Sequence, residues 1–146
     1  MFHEVVDDGP ADDGTAAEAS VLLASFKRLL TEAVDEAGVE ELAESTALDS
    51  NRVAAAGSGE VKSLTVDEGA AILAAARGVD VDVVVGELRD HLLLGMTMAV
   101  LDVDTIAGAI DADLTGQEVQ QALEGRAEMT IAELAEVMAV IEERKP

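Results

Sequence analysis

One short pattern occurs four times in this chain: Thr15-Ala-Ala-Glu18, Thr65-Val-Asp-Glu68, Thr115-Gly-Gln-Glu118 and Thr130-Ile-Ala-Glu133. In each, the threonine hydroxyl can accept from a free backbone N–H of a first helical turn, while the glutamate reaches back to the threonine N–H. Each copy therefore marks a helix start. Aromatic poverty points the same way. Phe2 and Phe26 are the only aromatic residues, so a core must be built from Leu, Val, Ile, Met and Ala, which suits close helix packing better than a sheet. No stretch alternates as a strand does; Val79 to Val85 comes nearest and runs into helical sequence.

Apolar positions at 19, 22, 23, 26, 29, 30, 33, 34 and 37 lie on one helical face. They predict a helix over residues 15–37, with Gly38 placed to end it. Shorter helices are expected at 39–46, 49–57 and 102–110. The segment 80–101 is the most apolar, and Leu92 to Leu101 is apolar around most of a helix circumference. Such a helix is expected to be buried on several sides, as a central core helix; a subunit interface is the alternative reading. Gly95 would let another helix approach closely.

The two halves repeat one order. The first copy runs from a long helix through Val39-Glu-Glu-Leu42-Ala43 and Val53-Ala-Ala-Ala56-Gly-Ser-Gly59 to Leu64-Thr65-Val-Asp-Glu68. The second runs from a long helix through Val103-Asp-Thr-Ile106-Ala107 and Val119-Gln-Gln-Ala122-Leu-Glu-Gly125 to Met129-Thr130-Ile-Ala-Glu133. The matches fall on apolar, small and capping positions, where a shared fold constrains sequence. The expected fold is all-α: two tandem four-helix units, residues 15–78 and 79–146, packed as one compact domain around the apolar helix. Residues 1–14, with five carboxylates and no basic residue, read as a flexible acidic tail.

Charge bounds what the chain can do. Acidic residues number 31 against 9 basic ones, a formal charge of −22. At low salt that charge opposes compaction, whereas a Debye length of about 3 Å near 1 M salt removes most of the penalty. The carboxylates are spread evenly, a pattern that resembles the acidic proteins of salt-loving archaea. The absence of cysteine excludes disulfide and thiol chemistry. The acidic N-terminus does not read as a secretory signal, and Leu92 to Leu101 falls short of the roughly 20 residues that span a bilayer. A soluble, cytoplasmic protein without membrane attachment is expected.

The stretch Leu42-Ala43-Glu-Ser-Thr-Ala47-Leu48-Asp-Ser-Asn-Arg52-Val53-Ala-Ala-Ala56-Gly-Ser-Gly59 resembles the Cro/repressor-type helix-turn-helix family. Ala43 matches the small residue where the two short helices cross. Leu48 and Val53 match the apolar positions that pack the second helix on the first, and Gly59 closes it. The likeness covers about residues 22–76 and, more loosely, 86–143. It implies that Ser50, Asn51 and Arg52 lie near base edges in a major groove. Gln117, Gln120 and Gln121 correspond to them in the second copy, and an uncharged face there is also a surface where a protein partner could dock without desolvating carboxylates. The sequence departs from the family at Ala47, where glycine is usual, and in two extra residues between Ala107 and Val119, so both turns are expected to differ. Between residues 39 and 64, Arg52 and Lys62 face Glu40, Glu41, Glu44, Asp49 and Glu60, a surface that mostly repels phosphate. The segment Arg89 to Asp104, with Glu124-Gly125-Arg126, is also similar to an uncharacterised haloarchaeal family of unknown function.

Catalytic and metal readings are weak. His91 and Asp90 are adjacent on a helix and point about 100° apart, so they form no dyad. Asp102, Asp104, Asp111 and Asp113 lack the glycine and terminal glutamate of a calcium loop, and capping by Asp102 or Asp104 accounts for them better. Gly57-Ser58-Gly59 lacks the lysine of a phosphate loop. The expectation is a regulatory or adaptor protein that is no enzyme and takes no cofactor or small-molecule substrate. Its partner is another protein or a second copy of itself; DNA is the alternative.

Overall fold

The computed structural model describes residues 18–144, and they form eight helices: α1 (Ala19–Ala37), α2 (Val39–Thr46), α3 (Ser50–Gly57), α4 (Val66–Arg77), α5 (Val81–Ala99), α6 (Val103–Ala109), α7 (Gly116–Leu123) and α8 (Ile131–Arg144). The chain is all-α, as expected, with no strand among the described residues. The tail expected at residues 1–14 lies outside them.

Three of the four capping patterns form as drawn. Thr65 accepts from the Glu68 N–H while Glu68 accepts from the Thr65 N–H, and Thr115 with Glu118 does the same. Thr130 and Glu133 complete the set at the start of α8. The first helix differs. Glu18 is extended (φ −81°, ψ 159°) and stands at the N-cap of α1 without a side-chain cap, so it does not take the in-helix place the pattern gives it; Thr15 lies outside the described residues.

The buried side chains make one contiguous cluster drawn from all eight helices. Leu22, Phe26, Leu30, Ala33 and Val34 give α1 its inner stripe, at the spacing of one helical face. That stripe packs on α3, α4 and α8. The most enclosed element is α8, which buries Ile131, Leu134, Ala135, Val137, Met138, Val140 and Ile141. It sits against α1, α4, α5 and α6.

This corrects the expectation for the apolar segment at 80–101. The central helix is α8, not α5. Only Val84, Leu88, Leu92 and Gly95 of α5 are buried, a single stripe, because its main neighbours α4 and α8 cover one side. Leu93, Leu94 and Met98 on the other side are exposed. The second long helix thus docks differently from α1, which packs on both of the short helices that follow it.

The two equivalent segments before α4 and α8 meet. The Val66 N–H donates to Met129 O at 2.8 Å and the Ile131 N–H donates to Leu64 O at 2.8 Å, an isolated antiparallel bridge centred on Thr65 and Thr130.

Candidate functional site

Helices α2 and α3 meet at a turn whose Ala47 is left-handed (φ 60°, ψ 15°). The residue keeps the conformation for which glycine is usual, so the alanine does not alter the turn in the expected way. A Cβ in that region costs about 1–2 kcal/mol; burial of Leu42 and Val53 on either side of the turn helps to offset it. Leu48 donates its N–H to the Thr46 hydroxyl at 3.3 Å, which closes the turn locally. In the second copy the connection between α6 and α7 occupies 110–115 and departs from this geometry, with Ile110 extended (φ −90°, ψ 155°).

At the start of α3, Ser50 and Asn51 are exposed. Arg52 turns inward. Its Nε donates to Glu68 Oε2 at 2.9 Å, one terminal nitrogen donates to Glu68 Oε1 at 2.6 Å, and that nitrogen also reaches Ser63 O at 3.3 Å. The fork-on-carboxylate geometry is the strong form of a charge-assisted pair. The Arg52 hydrogen bonds, with those of Thr65, hold the Glu68 carboxyl below its ordinary range against the opposing effect of burial. Glu68 in turn holds Arg52 above its ordinary value. Of the three residues the helix-turn-helix likeness singles out, two face outward and the third ties α3 to the capped start of α4.

The other arginines of interest are also matched with acids. Arg77 pairs with Glu36, and Arg126 Nε lies 3.3 Å from Glu124 Oε2. Lys62 is exposed between α3 and α4. These cations sit on different elements, and each arginine stands beside a carboxylate.

On α7, Gln117 and Gln120 are exposed and Gln121 is half-buried. The Gln120 amide donates to Glu124 Oε1 at 2.8 Å. Gln117 and Gln121 stand four residues apart, hence on one side of the helix. Asp102 caps α6, accepting from the Thr105 N–H at 2.8 Å, and that backbone bond lowers its pKa. The capping account of this aspartate is thereby met. No group of three or more His, Asp or Glu residues among the described residues could hold a metal ion. His91 Nε2 lies 3.8 Å from Glu142 Oε1, linking α5 to α8. An apolar cavity of about 60 Å³ lies among Val85, Leu88, Leu92, Leu123 and Met129, with Arg89 in its wall; ligand pockets run to roughly 300–1,000 Å³.

The apolar run expected in the core leaves one side of α5 open. Large exposed apolar side chains among the described residues are Val79, Val81, Val83, Leu93, Leu94, Met98 and Val100, every one of them in or beside this helix. Leu94 is 61% exposed and Val100 89%. A shallow groove lined by Leu93, Met96, Thr97, Val100, Leu101 and Asp102 runs along its end. A subunit interface is the alternative expectation for the same run. Among the described residues no single helix is long and apolar enough to cross a membrane.

Residues 22–144 match the family described as "Family of unknown function (DUF5791)", and the chain belongs to that family. No curated protein and no solved structure matches it.

Proposed function

We propose that this protein is a non-enzymatic regulatory or adaptor protein of the cytoplasm of a halophilic archaeon, and that it binds another protein through a degenerate helix-turn-helix scaffold. The observation that carries this reading is the commitment of Arg52 to Glu68. A guanidinium held by two carboxylate oxygens has to leave them before it can read guanine, and the fork is the stronger, charge-assisted form of hydrogen bond. The charge of −22 supports it further, because phosphate attraction supplies much of ordinary DNA affinity. The repeat of long, short, short and capped helices fits two tandem four-helix units, of which the second has lost the tight turn. Gln117 and Gln121, uncharged and on one side of α7, are the contacts proposed for the partner, with Gln120 beside them.

A second reading has a specific observation in its favour. Ser50 and Asn51 are exposed at the start of α3, and Ala47 holds the left-handed turn of the helix-turn-helix family. A DNA-binding regulator would use these two residues together with a released Arg52.

The test of the first reading is affinity capture from the source cells at native salt, with the intact chain and a Gln117→Glu/Gln121→Glu variant side by side. A specific protein retained by the intact chain and lost from the variant, with circular dichroism unchanged, is the expected result. Identical proteins on both would sink the assignment of α7.

A further inference from the structure

We infer that the open side of α5 is where two copies of this chain pair, helix against antiparallel helix, about a two-fold axis near Leu94, Thr97 and Met98. The inference goes beyond the proposed adaptor function and does not depend on it.

Three observations converge. The first is distribution. The exposed large apolar side chains cited above all lie between Val79 and Val100. Four of them, Leu93, Leu94, Met98 and Val100, lie near the proposed axis and together present on the order of 400 Å², about half of the roughly 800 Å² that each partner contributes to a stable interface. On helical spacing Leu94 and Met98 fall on one face, with Leu93 and Thr97 beside them.

The second is charge. The stretch Leu92 to Leu101 has no ionisable group and is bounded by Asp90-His91 and Asp102. A basic partner would gain most from the carboxylates that cover the rest of the chain. An uncharged stripe suits a partner that is itself acidic, and a second copy is such a partner, with the same stripe to offer. Isologous pairing of one patch with itself is also the commonest route to a closed assembly.

The third is strain. Val100 ends α5 in the left-handed region (φ 55°, ψ 50°), with the Leu101 N–H bonded to Met96 O at 2.9 Å. The same closure ends α4, where the Val79 N–H bonds to Ala74 O at 3.0 Å, but there the left-handed residue is Gly78. A β-branched residue in this conformation is an outlier, and at 89% exposure it gains almost nothing in return within one molecule. Contact with a second copy gives the valine a role that glycine could not fill.

Pairing of two chains of charge −22 is opposed by repulsion at low salt and released as the Debye length falls to about 3 Å near 1 M. Association therefore strengthens with salt, the reverse of binding to nucleic acid.

Sedimentation equilibrium of the full chain from dilute buffer to concentrated KCl tests this. The expected mass rises from 15.1 kDa to twice that value as salt increases, and Leu94→Glu or Met98→Glu weakens the association more than about tenfold with helicity intact. Because the chain has no cysteine, Thr97→Cys places a lone thiol near the proposed axis. Oxidation in concentrated KCl is expected to give a covalent dimer from it and none from Ser58→Cys, just past the end of α3. A monomer at every salt concentration would overturn the inference. So would a dimer that survives Leu94→Glu and Met98→Glu, or one in which the cysteine at 58 crosslinks and that at 97 does not.

Discussion

Thr65 and Thr130 face each other across an antiparallel bridge, and each also caps the helix that follows it. Equivalent residues of the two sequence copies thus share one junction. The Thr65→Ala and Thr130→Ala variants are each expected to lose about 1 kcal/mol, the usual value of an N-cap hydroxyl. Since the caps adjoin through reciprocal backbone bonds, the double variant is expected to depart from additivity by at least ~0.5 kcal/mol. Urea denaturation at fixed salt measures all three.

Glu68 makes stability depend on pH. Its folded pKa is lowered, chiefly by Arg52, so its contribution is complete above the ordinary carboxylate range. It is lost as pH falls through the lowered folded value. The Glu68→Gln variant is expected to be less stable than the parent near neutrality, with the difference closing in acid. A gap that stays constant across acid titration of the melting temperature would show that Glu68 acts through its cap alone.

Removing the Cβ where it strains the backbone should stabilise the monomer. A left-handed Cβ costs about 1–2 kcal/mol, and glycine returns roughly 0.4–1 kcal/mol of that through the freer unfolded chain. Val100→Gly (φ 55° in the parent) is therefore expected to gain about 0.5–1 kcal/mol in dilute buffer. Ala47→Gly (φ 60°) should gain a similar amount. Thermal melts of both variants decide it.

Packing at the start of α7 is close. A Cβ on Gly116 would sit 1.9 Å from Asp104 Oδ1 and 3.2 Å from the Asp104 Cα, so the carboxylate can turn away but the backbone has to shift. Gly116→Ala is expected to cost about 1–3 kcal/mol by overpacking. Gly86→Ala, where the added carbon meets nothing within 4 Å, serves as the control and should cost nothing.

Local rules carried far in this chain. The starts of α4, α7 and α8 were readable because a capping pattern needs only four consecutive residues. Gly38, at a positive φ of 88°, ends α1 where the apolar periodicity stops. What could not be read was decided between distant residues. The pairing of Arg52 with Glu68 spans 16 positions and joins two residues that the sequence had assigned to separate tasks, base reading and capping. The open side of α5 was hidden for the same reason: an apolar run looks alike whether its neighbours cover one face or all of them. Ala47 shows the converse, since packing on both sides of a turn can hold a residue type that local preference disfavours.

Whether Arg52 belongs to Glu68 or to DNA decides what α3 does. Fluorescence anisotropy of labelled genomic fragments, titrated with the full chain from low salt to concentrated KCl, tests that most directly. No saturable binding at any salt concentration, with the helical fold verified by circular dichroism, is the predicted result. Saturable binding that survives competitor DNA and disappears in Arg52→Ala, while Arg77→Ala retains it, would contradict the account and assign α3 to the major groove.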